Sequence, residues 1–458
     1  MRNSLRAGAD MPLDIVVLAG GRGRRLRSET PKPLLALADT PLIAHVIAAA
    51  AKLSPRRIVA VVPPDAPGLR AAAQNACAAQ VEFAAQPVPR GTADAARCGA
   101  KLLGDDGVIL TLCADAPLLA AQTLQQMRRR AAAGALALMC FHAKNPRGYG
   151  RIVREAGKIS AITEEKDATP SQRKITEVFA GALAAPGAWL KPALAKIRPS
   201  ASGAELYLTA LAEAARRQNI PRESVLAAEE EARGINTPEE FAAAETSLRR
   251  RRARELMAQG VRLADPARID IRGEVRAGRD VEIDVNVILS GAVVLGRGCR
   301  IGANCVIADC VLGAETQIAP FCHLRGAHIG SRCQIGPFAR IRPQTSVKAE
   351  SRIGNFVEIK NSVLGARVKA AHLAYLGDAE IGAEANIGAG AITCNYDGKR
   401  KHKTHIGAGA FIGSDVQLIA PVRVGRGAYI AAGTTLAKDA PAGMLTAARV
   451  AQISRKKR

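Results

Sequence analysis

Beyond residue 265 the chain repeats itself with a period near six, and no other feature restricts the possible fold as tightly. Aliphatic residues fall at Leu295, Ile301, Ile307, Leu312, Ile318, Leu324, Ile329, Ile335, Ile341, Val347, Ile353, Ile359 and Leu364, often followed by glycine. The register resumes at Leu376, Ile381 and Ile387, then at Ile406, Ile412, Ile419, Val424 and Ile430. Hexapeptide spacing over so many steps predicts a parallel β-helix of about 18 residues per coil, with one side chain per step stacked inside. A propeller or sandwich needs longer strands. Glycine after the aliphatic residue is expected to permit the tight corner. Two residues before it stand Cys299, Cys305, Cys310, Cys322 and Cys333, and elsewhere Thr316, Ala339, Thr345, Ser351 and Ala374, so the cysteines read as packing in a column of small residues. None of the ten cysteines forms a C-x-x-C pair, which argues against a zinc ribbon or redox motif and for reduced thiols.

From about residue 12 to 235 short apolar runs ("DIVVLAGG", "RRIVAVVPP", "GVILTLCADAPLL", "GALALMCFHA") alternate with Ala-rich stretches of helical length, which predicts an α/β domain with a mostly parallel sheet. "NTPEEFAAAETSLRRRRARELMAQG" then reads as a connecting helix, with Thr237 as N-cap, Pro238 in the first turn and Gly260 as stop. The expected domains are therefore 1–236, 237–260 and 261–458.

Lys and Arg together number 65 against 41 Asp and Glu, a net charge of +24 that favours polyanionic ligands. Nucleotides, sugar phosphates and coenzyme A qualify; nucleic acid, suggested by charge alone, is not expected as a partner. No stretch approaches the roughly 18 apolar residues that span a bilayer, and "IVVLA" is too brief for a signal-peptide core. The cytosol is the expected compartment.

"VVLAGGRGRRLRSETPKPLL" puts Leu18, Ala19, Gly20, Gly21 and Gly23 at the end of the first strand, with Arg24 and Arg25 beside them and Lys32 further on. Glycines there let backbone N–H groups approach phosphates, which Arg and Lys neutralise. Asp115 follows the strand "VILTLC" at its carboxyl end, where open α/β sheets bind ligands; an Asx turn before Pro117 explains it equally simply. With Asn236 it offers two oxygens for Mg²⁺ bridging nucleotide phosphates, though Asn236 is also read as a helix-approach residue.

In the second half the repeat breaks at "TCNYDGKRKHKTH", and the unusual residues cluster around it. A coil of about 18 residues returns positions 342, 360 and 375 to 377 to similar faces. Among the residues around the break His372 is the natural general base, because the unperturbed pKa of histidine lies near neutrality. The break reads either as an excursion that serves the site or as a tolerated surface insertion.

The spacing L-A-G-G-x-G-x-R followed by P-K-P-L is similar to the signature of sugar-1-phosphate nucleotidylyltransferases. Together with "IGPFARIRP", "IGNFVEIKNS", "YLGDAEIG" and "NIGAGAITCNYDG" it resembles, across nearly the whole chain, the bifunctional N-acetylglucosamine-1-phosphate uridyltransferase / glucosamine-1-phosphate acetyltransferase family. The resemblance implies a Rossmann-like nucleotidyltransferase domain, a linker helix and a left-handed parallel β-helix that forms a homotrimer. It implies UTP, N-acetylglucosamine-1-phosphate, glucosamine-1-phosphate and acetyl-CoA as substrates, with Mg²⁺ at Asp115 and Asn236. Lys32 and Arg25 would stabilise charge in uridylyl transfer, and His372 would be the acetyl-transfer base. Gln86 with Gly91 and Thr92 would read a pyrimidine edge, and Gly150 and Glu164 would grip a sugar. Arg342, Lys360, Tyr375 and Asn386 would bind the amino sugar phosphate; Ala389, Asn395, Tyr396, Ser414, Ala432 and Arg449 would line the acetyl-CoA groove. The departures lie in the first half: Ala93-Asp94 where the family has Gly-His, Phe179 for a sugar-contacting Asn, and Ala210 for an Asp. An acetyltransferase with an inactive or altered first domain is therefore the alternative.

Overall fold

The computed structural model describes residues 11–21, 23–199, 205–448, 452 and 454. They form two compact units that divide between residues 247 and 248. Arg449 and the basic tail 455–458 lie outside the described residues.

The first unit is built on a sheet ordered Arg222–Leu226, Leu136–His142, Glu177–Pro186, Val108–Cys113, Leu13–Leu18, Arg57–Val62, Val81–Ala85. Glu177–Pro186 runs antiparallel to both neighbours, and the other adjacent pairs are parallel. Every side chain of Leu13–Leu18 is buried, as a strand covered on both faces requires. Alternate residues part to opposite faces: Ile15 and Val17 join a core with the helices Leu42–Ala51 and Ala121–Ala132, while Val16 and Leu18 join one with Thr92–Ala100, Gly187–Lys196 and Ala210–Arg217. Because Leu13–Leu18 lies between strands that follow it in sequence on both sides, its carboxyl end opens into the crevice where the strand order reverses.

The helix Pro238–Ala258 starts as the sequence predicts. Thr237 Oγ1 accepts from the Glu240 amide at 3.2 Å and Glu240 Oε2 accepts from the Thr237 amide at 3.1 Å, a reciprocal capping box. Gly260, at φ +92°, ends it.

The second unit is a parallel β-helix. Its strands form one sheet of eleven and one of seventeen, and outside the first and last coils and the break a residue pairs with one 17 or 18 positions later, as in Ile288↔Val306 and Arg300↔Gln317. The predicted aliphatic residues fill a single continuous core, except Ile419, which is 40% exposed while Leu418 is buried in its place. The corner chemistry also differs from expectation. Left-handed backbone falls three residues before the stacked aliphatic, at Asn304, Glu315, Phe321, Arg332, Phe338, Gln344, Glu350 and Phe356. Glycine after the aliphatic serves close approach instead: a Cβ on Gly302 would sit 2.7 Å from the Pro320 amide of the next coil. The small column is buried as predicted, and several of its polar members also donate, though the Thr345 hydroxyl is buried without a partner among the described residues. Cys299 Sγ–H reaches the Gly313 carbonyl at 3.1 Å, Thr316 Oγ1 the Gly330 carbonyl at 2.6 Å and Ser351 Oγ the Gly365 carbonyl at 3.1 Å. These bonds satisfy carbonyls that turn inward at the corners.

At the break, Tyr375 pairs with Ile392 one ordinary coil later, but Ile392 pairs with Gln417, so the intervening coil is about eight residues longer than the 17–18 norm. The excess forms a small hairpin closed by a Tyr396↔Lys401 bridge, with Asp397 Oδ1 accepting from the Lys399 and Arg400 amides at 2.7 Å. Pairing resumes at Thr404, opposite Ala379. Among the described residues no helix is long and apolar enough to cross a membrane.

Candidate functional sites

In the first unit a cavity of about 530 Å³ opens at the carboxyl end of Leu13–Leu18. Leu18, Gly20, Gly21, Gly23, Lys32, Gln86, Gly91, Thr92 and Asp115 line it, and Ala19 is buried beside them with its amide on the Val61 carbonyl. Gly23, at φ +61°, also passes so close to Lys32 that a Cβ would meet the Lys32 Cβ at 2.6 Å. The Pro-Lys-Pro stretch turns Lys32 inward, where its ammonium is buried, ion-paired with Asp115 and 2.9 Å from Asn236 Oδ1. A buried ammonium is tolerated only when paired in this way. Asn236 is held from behind: its amide donates to Glu240 Oε2 at 2.6 Å, and Ile235 donates to the Asp115 carbonyl at 2.9 Å. Two hard oxygens thus converge on one cation, with Lys32 standing at the point where they meet, and that donor set fits a divalent ion. The amino terminus of the helix Thr92–Ala100 faces the same cavity, adding backbone donors for an anion.

Three predicted residues stand elsewhere. Arg25 is exposed on the turn Arg24–Leu26 and does not line the cavity. Glu164 lines a second cavity of about 220 Å³, with Asp167, Arg198, Tyr207 and Thr209 around it, and Gly150 packs behind it against Ile162 and Thr209. Burial pushes the Glu164 carboxyl above the ordinary range, although it accepts from Thr209 Oγ1 at 2.9 Å. Phe179 is buried in the core, its backbone paired with Cys140 and Gly150. Asp94 is also buried, receiving Gln86 Nε2 at 3.0 Å and paired with Arg97.

In the second unit the coil register assembles the other constellation. Ile341, Ile359 and Leu376 stack, so Arg342, Lys360 and Gly377 follow one another on successive coils. Asn355 pairs with His372, and Nδ1 of His372 lies 2.8 Å from Asn355 Oδ1. A proton on Nδ1 satisfies that bond and leaves Nε2 with its lone pair, toward solvent. Arg342 donates to Glu358 at 2.9 Å, and Tyr375 sits directly over Glu358. Lys360 lies 3.8 Å from the buried Asp378. Burial alone would raise the Asp378 carboxyl, but the amides of Asn361 and Asn395 and the ammonium groups of Lys360 and Lys401 outweigh it and hold it below the usual range. Lys401, brought back by the hairpin, is pushed below the ordinary lysine value by the neighbouring Lys360. Two cations held this close form a ready anion site.

Asn386 faces outward in register between Lys369 and Phe411. Ala389, Ser414 and Ala432 occupy one corner position on three successive coils, linked through Ala389–Asp415 and Ser414–Gly433 backbone bonds. Asn395 is buried against Asp378, and Tyr396 is 60% exposed at the hairpin. Sequence reasoning missed Asn355, Glu358 and Asp378. The coil register, which stacks Asn355 on His372, was the signal that could have found the first.

Comparison with known proteins accords with this division. Residues 15–232 match the MobA-like NTP transferase domain, 271–350 the GMPPB C-terminal domain and 403–438 the bacterial transferase hexapeptide repeats. The chain is 46% identical over 444 residues to the bifunctional protein GlmU of Azoarcus sp. strain BH72, covering 96% of this chain and 98% of that protein. It is 48% identical to the protein of the same name from Ralstonia nicotianae (96% and 97% covered), and 45% identical to that of Aromatoleum aromaticum (96% and 97%). At this identity over nearly its full length, the chain belongs to the family of the bifunctional protein GlmU.

Proposed function

We propose that the β-helix transfers the acetyl group of acetyl-CoA to the amine of glucosamine-1-phosphate, and that the first unit couples the resulting N-acetylglucosamine-1-phosphate to UTP with release of pyrophosphate. The observation that carries the first reaction is the His372–Asn355 pair, on the same two successive coils as Lys360 and Tyr375. His372 Nε2 takes the proton of the substrate ammonium, the freed amine attacks the thioester carbonyl, and the tetrahedral intermediate expels CoA thiolate. Lys360, Lys401 and Arg342 hold the sugar phosphate, with Tyr375 and Asn386 bordering the sugar. The column Ala389–Ser414–Ala432 would give a side-chain-poor track for the pantetheine arm, with Asn395 and Tyr396 as further contacts. By this reading the excursion at 394–403 belongs to the site, because it returns Lys401 to Lys360.

In the first unit the sugar phosphate oxygen attacks the α-phosphorus of UTP in line and pyrophosphate leaves. Asp115 and Asn236 would hold Mg²⁺, which would offset the phosphate charge. Lys32 and the backbone amides at Gly20 and Gly21 stabilise the charge that develops, and Arg25 approaches from the exposed turn. Gln86, Gly91 and Thr92 meet the base; Gly150 and Glu164 border the sugar. The working form would be a cytoplasmic homotrimer assembled through left-handed β-helices.

One preparation tests both halves. CoA release with glucosamine-1-phosphate and acetyl-CoA, and pyrophosphate release with UTP, Mg²⁺ and N-acetylglucosamine-1-phosphate, are the expected results. CoA release without pyrophosphate would favour the second reading, motivated by the apolar Phe179: an acetyltransferase whose first unit takes another substrate or none.

A further inference from the structure

Gln86 is nearly buried at the wall of the first-unit cavity, and its amide is not free to turn. One end donates twice: Nε2 reaches Asp94 Oδ2 at 3.0 Å and the Gly91 carbonyl at 3.3 Å. Both partners are acceptors only, so the atom facing them is necessarily the NH₂ group. Asp94 is in turn paired with Arg97, one turn along the helix Thr92–Ala100, which keeps its carboxylate aimed at Gln86. Turning the amide over would set its carbonyl against a carboxylate and a second carbonyl, two repulsive contacts in place of two hydrogen bonds. The other end, Oε1, receives no hydrogen bond from any described residue and lies 2.9 Å from where a Cβ on Gly20 would stand, at the cavity wall.

We propose that Asp94 is a positioning residue for base selection. It fixes Gln86 so that an acceptor faces the cavity, and the base is admitted when its ring nitrogen carries a proton for that acceptor, as N3–H of uracil does. Cytosine, with a lone pair at N3, meets a second lone pair and is rejected. This rests on the reading of the cavity as the nucleotide site. Asp94 touches neither substrate nor reacting atoms; it acts through Gln86. A site built to receive a hydrogen bond rejects the analogue that lacks the donor far more strongly than a merely apolar wall does.

The test is the ratio of kcat/KM for UTP to that for CTP, measured as pyrophosphate release with N-acetylglucosamine-1-phosphate and Mg²⁺. The comparison covers the full-length parent, Asp94→Asn and Asp94→Glu. Asparagine is isosteric but can donate as well as accept, so the reversed Gln86 amide loses one of its two repulsive contacts and keeps only the one with the Gly91 carbonyl. The UTP/CTP ratio should fall by about tenfold or more, mainly through a gain with CTP. Glutamate keeps an acceptor-only group and should retain most of the parental ratio. An unchanged ratio in Asp94→Asn, whether or not the rate with UTP drops, would overturn the proposal and leave Asp94 with a structural role. If the parent, active in CoA release, yields pyrophosphate from no nucleoside triphosphate, the nucleotide reading itself falls and the proposal falls with it.

Discussion

The two units solve the problem of assembling a site in opposite ways. In the β-helix, site residues are neighbours because the repeat makes them so: Asn355 over His372, Glu358 over Tyr375 and Lys360 over Gly377 are consequences of one register. In the α/β unit, Lys32, Asp115 and Asn236 are separated by 83 and 121 positions, and meet only because strand order and loop course bring them together. A periodic scaffold fixes spacing and leaves chemistry to substitution on its face. A sheet with a crevice fixes the place and leaves each side chain to its own loop. The first kind of site should lose function residue by residue, and the second should depend on a shared cluster.

The sharpest way to break this separation is at the base proposed for acetyl transfer. His372→Ala should lower CoA release by about 10²–10⁴-fold, the usual worth of a positioned general base, and leave pyrophosphate release intact in the same preparation. Equal loss of both activities would mean that the two sites are not chemically independent. Slightly smaller in effect, Lys32→Met should cut pyrophosphate release by about 10²–10³-fold by removing a preorganised cation, with CoA release unchanged. Because Lys32, Asp115 and Asn236 act as one cluster, the double variant with Asp115→Asn should cost far less than the two single losses multiplied; full multiplication would show that they act separately.

A finer test lies within the periodic site. Asn355→Ala frees the imidazole from its partner on the preceding coil, so both tautomers become available and the base is no longer aimed. CoA release should fall by about tenfold, carried by kcat with the KM for glucosamine-1-phosphate little changed. A loss carried by KM alone would assign Asn355 to substrate contact rather than to the histidine.

Legibility followed the same division. Buried aliphatic residues from Leu295 to Leu364, the small column and the stacking of positions 342, 360 and 377 could all be read off a period of six, since one register determines every contact. Ile419 was misassigned although the strict step of six from Ile412 to Val424 falls on Leu418, which takes the inward place: in a run of two adjacent aliphatic residues only the count, not the residue type, tells which one stacks. The corners misled for another reason: glycine suggests left-handed backbone, yet these glycines are required by the approach of the next coil, and asparagine, glutamate and even phenylalanine take the left-handed positions. In the α/β unit the glycine-rich turn, Lys32 and Asp115 announced themselves. The separation of Glu164 into a second cavity and the Asp94–Gln86–Gly91 contacts did not, since no local pattern encodes how distant loops orient an amide.

The smallest effect probes the join between repeat and excursion. Asp378 ends the coil step before the longer turn, and it gathers Asn361, Asn395, Lys360 and Lys401 around one carboxylate. Its pKa in the folded protein lies below the unfolded value, so the carboxylate form contributes stability that is fully present above the unfolded pKa of about 4 and is lost as pH falls through the lower folded value. Asp378→Asn should therefore cost about 1 kcal/mol near neutrality, measured as a shift in denaturant midpoint at unchanged slope. That difference should begin to shrink below about pH 4 and disappear as pH falls through the lower folded value, where the parent carboxyl is itself protonated. A cost that persisted undiminished in acid would mean that shape and hydrogen bonding, not charge, hold the excursion to the coil. Lys401 would then owe its place beside Lys360 to the Tyr396–Lys401 hairpin alone.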